Sequence, residues 1–503
     1  MNADMLHPAR VITLILGTIF LHLSGCWQKP APTGKPNIIF LFSDDQRWDT
    51  VGANGNAVIQ TPHLDRLARD GLNFRNCFVT TSICAISRAS VLSGQHMRRH
   101  GIRDFVTPFD KNQLQQTYPV ILQRAGYYTG FIGKWGVGAS PENIMQAAGY
   151  FDWWQGQPFQ TNYWHEADCV YVGFNGHENL ELSLCDCPAD ETGASGPRVR
   201  TGQANLHDPI HLTTQIVPAK IREFLDTRET DKPFCLTIFF KAPHGPFDHD
   251  SSLATLYQDV EMPIPRTATP HWADRRPAFL RDDHHANHKG KRWVTDHQAL
   301  QQRIRVYYRL ITGMDIAVGK LVEALKDAGV ADNTVIVFTS DNGQFLGEHG
   351  FHGKWLMREP SIRVPAFIYD PRRPPEERGR ECDAMVLNID FAPTILDLAG
   401  LPQLDSIQGR SLLQLMDNPS AVWRHDWFYE HPTMHIAPIQ PTTGVRNDRW
   451  KYTKYTAQFP PYEELFDLEN DPDETRNLVG SLDHAEILQL LREQCSRSEV
   501  ELH

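Results

Sequence analysis

The sequence predicts an α/β protein in which helices cover both faces of a large, mostly parallel sheet. Two observations carry this prediction: several unbroken apolar runs stop abruptly at polar residues, and helical segments alternate with these runs along the chain. Unbroken runs rich in β-branched residues are typical of strands buried on both faces, as in parallel sheets. The length of 503 residues allows a core that folds without disulfide or metal support.

Four of the apolar runs are predicted strands, and they span residues 38–42, 128–133, 234–240 and 334–339. Polar side chains follow each strand: Asp44 and Asp45 the first, Lys134 the second, His244 the third, and Asp341 with Asn342 the fourth. Ligands of such sheets bind outside the carboxyl ends of the strands. We therefore expect these side chains to meet at one edge of the sheet.

Helices are predicted between the strands. One runs from Pro62 to Asp70, with Thr61 as its cap, proline in its first turn and Gly71 past its end. A second follows a long periodic segment at about residues 304–328. Short strands at 449–453 and 464–468, with a closing helix from about residue 483, indicate a smaller C-terminal part.

The acidic residues at the strand ends point to a metal. Asp44, Asp45, Asp341 and Asn342 offer four oxygen ligands, which suit a hard divalent cation, Ca²⁺ or alternatively Mg²⁺. A single Asp after a strand is more often a helix cap. Two such clusters after different strands favour a metal site, and nearby lysines would complement an anionic substrate.

The N-terminal residues indicate export. Val11–Leu21 is an apolar run too short to span a bilayer but suited to a signal-peptide core. The sequence Leu-Ser-Gly-Cys ending at Cys26 resembles a bacterial lipoprotein box, which predicts removal of residues 1–25, a lipid on Cys26 and a proline-rich tether over 26–36. The alternative is a plain signal peptide with a chance cysteine. Either interpretation predicts an exported bacterial protein, periplasmic or anchored to the membrane through Cys26.

Charge and cysteine content exclude other classes. The net charge of −12 argues against a nucleic-acid binder, which usually has a basic domain. Of nine cysteines, Cys169, Cys185 and Cys187 share one loop-like stretch, and disulfide pairing is most expected among them. The Cys185-x-Cys187 spacing does not fit a zinc site.

The segment Cys84-Ala-Ile-Ser-Arg-Ala-Ser-Val-Leu-Ser-Gly94 resembles the signature of type I sulfatases, Cys-x-Pro/Ala-x-Arg followed by Leu-Thr-Gly. Further matching stretches run along nearly the whole mature chain, at 36–38, 61–68, 242–247, 340–343, 347–354, 449–452 and 467–472. The resemblance implies the alkaline phosphatase-like fold: a large mixed, mostly parallel sheet sandwiched by helices. It also implies a catalytic domain over 37–410 and a C-terminal α+β subdomain over 411–503.

The resemblance also implies a role for each site residue. Cys84 would be converted to formylglycine by a formylglycine-generating or equivalent maturation enzyme. The modified Cys84 would then complete a calcium site with Asp44, Asp45, Asp341 and Asn342. Arg88 would hold the formylglycine hydroxyl, Lys134 and Lys354 would bind the sulfate oxygens, and His244 would act as general acid.

The implied activity is that of a sulfuric ester hydrolase acting on a sulfated carbohydrate or an aryl sulfate. Two positions depart from the family pattern: Ile86 stands where proline or alanine is usual, and Gly136 stands where histidine is usual. These departures leave open an inactive homologue that binds sulfated glycans. A phosphodiesterase or phosphonate hydrolase of the same superfamily is a second alternative.

Two further segments bear on the substrate. Residues 266–305 contain nine Lys or Arg and four Asp or Glu, which indicates either a basic loop that meets a polyanion or a solvated surface insertion. The aromatic residues Trp153, Trp154, Tyr163 and Trp164 either stack on sugar rings or belong to the core. Neither segment implies a nucleic-acid partner.

Overall fold

A nine-stranded sheet lies at the centre of the protein. The structure, a computed structural model, describes residues 34–138, 140–157, 160–166, 174–175, 208–282, 293–433 and 439–502. The predicted signal peptide, Cys26 and the cysteines at 169, 185 and 187 lie outside these residues.

The central strands are β1 (Asn37–Ser43), β2 (Leu72–Phe78), β3 (Tyr128–Lys134), β4 (Trp153–Gln157), β5 (Phe174–Asn175), β6 (Phe234–Phe239), β7 (Thr334–Ser340), β8 (Arg363–Tyr369) and β9 (Arg380–Leu387). Their order across the sheet is β9-β2-β8-β7-β1-β6-β3-β4-β5. Strands β7, β1, β6, β3 and β4 pair in parallel, whereas β8 is antiparallel to both neighbours and β5 is antiparallel to β4. The sheet is therefore mixed and mostly parallel, and the four predicted strands are adjacent at its centre.

Both faces of this sheet are buried. Along β1, Ile38 and Phe40 belong to one hydrophobic cluster, while Ile39 and Leu41 belong to another, and all four are fully buried. This alternation follows from the two-residue period of a strand. Because each face packs against helices, both sets of side chains must be apolar, which explains the unbroken apolar runs in the sequence.

The longer helices are α1 (Pro62–Asp70), α2 (Cys84–Ser93), α3 (Tyr118–Arg124), α4 (Pro141–Ala148), α5 (Val217–Thr227), α6 (His297–Asp327), α7 (Phe391–Leu398) and α8 (Ala485–Glu501). Shorter helices span Met97–His100, Lys111–Leu114, Pro270–Asp274, Ala278–Arg281, Glu359–Ile362 and Leu413–Asp417. Helices α1, α5 and α6 pack on one face of the sheet, and α2, α3, α4 and α7 pack on the other. Within the described residues, no helix combines the length and apolarity needed to span a membrane.

Helix α6 begins seven residues before its predicted start. The side chain of Asp296 caps it by accepting a hydrogen bond from the Ala299 N–H at 2.9 Å. The start was not predicted because polar residues in the first two turns obscure the apolar period. The helix nevertheless begins at residue 297, where the Asp296 cap satisfies a free N–H group of the first turn.

The C-terminal part is a separate antiparallel sheet of four strands, β10 (Asp426–His431), β11 (Thr442–Asn447), β12 (Trp450–Tyr455) and β13 (Tyr462–Asp467), in that order. Leucines of α8 pack on this sheet in a small cluster of its own. Trp427 stacks on Phe78 of the large sheet, with 5.3 Å between the ring centroids. The predicted strands and closing helix are present, and two further strands complete the sheet.

The structure decides between the two interpretations of the aromatic residues. Trp153 and Trp154 are fully buried, and Tyr163 is almost so. Trp154 stacks on Phe131 at a centroid distance of 4.5 Å. A role for these three residues in stacking on sugars is therefore wrong, because their rings are buried in the core. Trp164 is half-buried, and its ring lies edge-on to that of His211 at 5.0 Å.

Candidate active site

Nine residues proposed from the sequence meet at the carboxyl ends of β1, β3, β6 and β7 and at the start of α2. They are Asp44, Asp45, Cys84, Arg88, Lys134, His244, Asp341, Asn342 and Lys354. Parallel neighbouring strands bring their carboxyl ends to one edge, so residues almost 300 positions apart become neighbours. Lys354 comes from the loop after β7, which no strand pattern would have predicted.

Three carboxylates form the centre of the site. Oxygen atoms of Asp44, Asp45 and Asp341 all lie within 4.8 Å of one another. The backbone of Asp45 has a φ of +70°, a left-handed conformation that Asp tolerates better than most residues. The Asp45 N–H donates to Asp341 Oδ1 at 3.0 Å, which joins the ends of β1 and β7.

Arg88 offsets the negative charge of two of these carboxylates. Its guanidinium is fully buried and donates to Asp341 Oδ2 at 2.9 Å, with Asp44 Oδ2 at 3.3 Å. A second donor reaches the Lys134 carbonyl at 2.7 Å. Its position four residues after Cys84 on α2 places Arg88 one helical turn below the cysteine.

Two lysines contact different carboxylates of the site. Lys134 Nζ donates to Asp44 Oδ2 at 2.6 Å, whereas Lys354 Nζ donates to Asp45 Oδ1 and lies 3.3 Å from Cys84 Sγ. Burial alone would raise the pKa of Asp44, but Lys134 and the other cations outweigh it and hold that pKa well below its ordinary range. Burial, together with the neighbouring Asp44, raises the pKa of Asp341 to about 7. Three carboxyl groups therefore face three cations, and one divalent ion would make the site net positive.

Cys84 is the first residue of α2 and is almost completely buried. Burial raises the pKa of its thiol, and the two lysines do not fully offset this effect. A buried thiol of raised pKa is protonated at neutral pH and is a poor nucleophile. Unmodified Cys84 is therefore poorly suited to attack a substrate.

His244 lies at the opening of the site. Its side chain is 27% exposed, against 7% or less for Asp45, Lys354 and Lys134. Its Nδ1 donates to the Gly245 carbonyl at 2.6 Å, so Nε2 faces the site, 3.7 Å from Asp45 Oδ2. Burial lowers the pKa of His244 to about 4, although Asp44 and Asp45 act in the opposite direction.

The donor set fits a hard divalent cation. Asp44 Oδ1 and Asn342 Oδ1 are buried acceptors without a hydrogen-bond partner among the residues the structure describes. Buried acceptors normally find a donor, so two orphaned oxygens beside three clustered carboxylates suit the binding of a cation. Oxygen ligands of this kind are preferred by Ca²⁺ and Mg²⁺.

Three residues that support the site were not predicted from the sequence. Gln160 Nε2 donates to Asp44 Oδ2 at 2.9 Å, and the hydroxyl of Tyr163 donates to the His244 carbonyl at 2.8 Å. The Tyr307 hydroxyl, from α6, donates to the Asp45 carbonyl at 2.6 Å. None of them belongs to a strand end or a motif, so no local signal distinguishes them.

The two departures from the family pattern have different surroundings. Ile86 is fully buried in an apolar cluster with Ile83 and Met97. Gly136 lies in the site, with a φ of +79°, and a Cβ on it would lie only 2.7 Å from Arg88 Cδ. This backbone therefore leaves no room for a histidine side chain at position 136 while Arg88 keeps its place.

Comparisons with known proteins agree with this geometry. Residues 36–401 match the family described as Sulfatase, and residues 347–501 match the model described as N-sulphoglucosamine sulphohydrolase, C-terminal. An N-acetylglucosamine-6-O-sulfatase of Bacteroides thetaiotaomicron is 29% identical, with 96% of this chain and 90% of the relative covered. An arylsulfatase of Clostridium perfringens is 31% identical, with 91% and 93% covered.

Solved structures show the same architecture. One, in complex with its substrate D-glucosamine-2-N,6-O-disulfate, superimposes with a TM-score of 0.77 at 25% identity and covers 93% of this chain and 98% of that chain. A phosphonate monoester hydrolase of Agrobacterium radiobacter superimposes with a TM-score of 0.74 at 21% identity, covering 93% and 96%, and shares the fold.

Proposed function

Because this chain belongs to the sulfatase family and is a sulfuric ester hydrolase, we propose that it removes sulfate from a sulfated carbohydrate with a formylglycine made from Cys84 and a bound calcium ion. The observation that carries this proposal is the position of Cys84 Sγ, 3.3 Å from Lys354 Nζ and beside three clustered carboxylates.

Asp44, Asp45, Asp341, Asn342 and the modified Cys84 would hold the calcium ion. The orphaned oxygens of Asp44 and Asn342 support this assignment, with Mg²⁺ as the alternative ion. A bound calcium ion would act as a Lewis acid and offset the negative charge of the sulfate group.

Conversion of Cys84 to formylglycine would replace a buried, protonated thiol by a group that can act as the nucleophile. Hydrated formylglycine would supply the attacking oxygen and a second hydroxyl through which sulfate is released. Arg88, one turn below on α2, would orient that residue through its own contacts with Asp341 and Lys134. A serine at position 84 would lack the second hydroxyl and would trap the sulfated enzyme.

The remaining residues position the substrate. Lys134 and Lys354 would bind two sulfate oxygens, which compensates the charge that repels a nucleophile. His244 would protonate the leaving oxygen from the open side of the site. Because its pKa is lowered by burial, we expect the charge of a bound sulfate ester to recruit the protonated form.

The test is the peptide mass of position 84 in protein from its native host, together with sulfate release. We expect the mass of an aldehyde in place of the thiol, and release of sulfate from sulfated glucosamines. An unmodified Cys84 together with no release from any sulfate ester would contradict the proposal and favour an inactive glycan-binding homologue.

The sugar substrate is proposed from the relatives. One curated relative is named for the 6-O-sulfate of N-acetylglucosamine, and one structural neighbour holds a disulfated glucosamine. A phosphonate or phosphodiester hydrolase is the second candidate, favoured by the fold shared with the phosphonate monoester hydrolase. Faster turnover of phosphate diesters than of sulfate esters would support this second candidate.

We also propose that the enzyme is exported and anchored through a lipid on Cys26, as the N-terminal sequence predicts. The protein should then appear in the membrane fraction of its host. Labelling with a radioactive fatty acid should mark the wild-type protein but not Cys26→Ala. Equal labelling of the two proteins would contradict the lipid anchor.

A further inference from the structure

Arg303, in the second turn of α6, is a cation beside the proposed active site that has no counterion among the described residues. Its guanidinium lies over the ring of Phe247, with Cζ 3.2 Å from the centroid, and 5.3 Å from the ring of Trp293. Its Nε is buried, and no hydrogen bond or ion pair of Arg303 is found within the part of the chain that the structure describes. Burial lowers its pKa to about 9, against weaker effects of Tyr307 and Asp45.

The location of Arg303 follows from the helix. Tyr307 lies four residues later, hence on the same face of α6, and its hydroxyl contacts the Asp45 carbonyl. One helical turn, about 6 Å along the axis, therefore separates Arg303 from a residue that touches a proposed metal ligand.

Two further contacts place Arg303 near two segments of the site. Phe247, whose ring lies under the Arg303 guanidinium, follows His244 by three residues. Its ring packs edge-on against that of Tyr307, with 6.4 Å between the centroids. On the other side, the ring of Trp293 lies 5.8 Å from that of His352, two residues before Lys354. Arg303 thus lies between the segment of the proposed acid and that of a proposed sulfate-binding lysine.

The neighbouring arginine on α6 shows the contrast. Arg305 donates to the Tyr257 carbonyl at 2.8 Å, to Gln302 Oε1 at 3.0 Å and to the Val260 carbonyl at 3.2 Å. Its donors therefore fasten a loop to the helix. Arg303 has no such structural task among the described residues, although leaving a partly buried cation unpaired is costly.

We propose that Arg303 binds a second anionic group of the substrate, a sulfate or a carboxylate other than the group that is hydrolysed. A guanidinium presents two parallel donors that match either anion, and the rings of Phe247 and Trp293 hold it in place before the substrate arrives. This inference rests on the proposed function and narrows the substrate class to sugars with at least two anionic groups.

Arg303→Gln tests the proposal in the mature, calcium-loaded enzyme. The substrates are glucosamine 6-O-sulfate, its N,6-O-disulfated form, a 6-O-sulfated glucosamine linked to a uronate, and 4-nitrophenyl sulfate. We expect kcat/KM for at least one doubly anionic sugar to fall about 10- to 100-fold, mainly through KM, the range for a lost charge-assisted hydrogen bond. The two singly anionic substrates should change less than about twofold, and Arg303→Lys should restore part of the loss.

The exposed Lys326, near the end of α6, offers a matched control, since Lys326→Gln removes one charge from the same helix away from the site. A fall in kcat/KM confined to the disulfated sugar would identify a second sulfate as the group that Arg303 binds. A fall confined to the uronate-linked sugar would identify a carboxylate. An equal fall in kcat/KM on all four substrates would overturn the proposal, because Arg303 would then only position Phe247 and His244. No fall on any substrate would also overturn it, because Arg303 would then have no role.

A binding measurement separates this inference from the proposed function. If the wild-type enzyme releases sulfate from none of the substrates, the proposed function fails. Calorimetry with the doubly anionic sugars then still decides the role of Arg303. Binding weakened about tenfold or more by Arg303→Gln would support the inference, and unchanged binding would overturn it.

Discussion

The substitution Gly136→Ala tests whether this glycine keeps Arg88 in place. Gly136 has a φ of +79°, and an alanine Cβ would lie 2.7 Å from Arg88 Cδ and 3.3 Å from its Nε. Arg88 is fully buried and hydrogen bonded to Asp341 and to the Lys134 carbonyl, so it cannot swing into solvent to make room.

The expected cost has two parts. A left-handed backbone costs a residue with a Cβ about 1–2 kcal/mol, partly offset by the lower entropy of the unfolded chain. To reach an ordinary contact, Arg88 Cδ must also retreat by about 0.7 Å, and such overpacking costs about 1–3 kcal/mol. We expect the free energy of unfolding to fall by about 2–4 kcal/mol. A shift of this order in the site should lower kcat/KM by about 10- to 100-fold.

Gly101 provides the control for this experiment. Its φ is +73°, but a Cβ there would meet no atom of the described residues within 4 Å. Gly101→Ala should therefore show only the backbone cost and keep its activity within about twofold. The assays are urea denaturation and sulfate release for both variants. Equal losses of stability and activity in the two variants would refute the reasoning, because the contact with Arg88 would then have no consequence.

Four further predictions concern the site and the stability of the fold. Lys354→Ala should lower kcat at least about 100-fold while the circular dichroism spectrum stays unchanged, since Lys354 contacts Asp45 and Cys84; normal turnover would refute its role. Removal of calcium with a chelator should lower both turnover and melting temperature, and calcium should restore them; indifference to the chelator would contradict the metal site. Lys451→Met should lower the free energy of unfolding by about 3–5 kcal/mol, because the fully buried ammonium pairs with Glu474 at 2.5 Å and Glu359 at 3.1 Å. A loss below about 1 kcal/mol in urea denaturation would contradict this prediction. Burial lowers the pKa of His100 to about 3, so the neutral imidazole contributes fully to stability above pH 6.5. This contribution is lost as the pH falls towards 3, by up to about 1.4 kcal/mol per pH unit. His100→Gln should flatten the plot of unfolding free energy against pH in this range, and identical plots for variant and wild type would contradict the effect.

The sequence predicted most of the fold because its signals are local. Strands buried on both faces must be apolar throughout, so the four central strands were visible as unbroken runs, and the polar residues after them marked the edge of the site. Strands β2, β4, β5, β8 and β9 were not predicted. Polar residues such as Asn73 in β2 and Glu381 in β9, and Pro365 within β8, interrupt the apolar pattern.

The chemistry of the proposed site was also determined by the sequence, through Cys84, Arg88 and the carboxylates at the ends of the strands. The tertiary structure decided which atoms meet. It shows that Arg88 lies so close to Gly136 that a Cβ there would be only 2.7 Å from Arg88 Cδ, and that the Tyr307 hydroxyl donates to the Asp45 carbonyl. It also shows a guanidinium of Arg303 that has no hydrogen-bond partner among the described residues. The physical reason is that residue type and strand pattern are properties of short segments, whereas a distance between remote side chains depends on the whole path of the backbone between them.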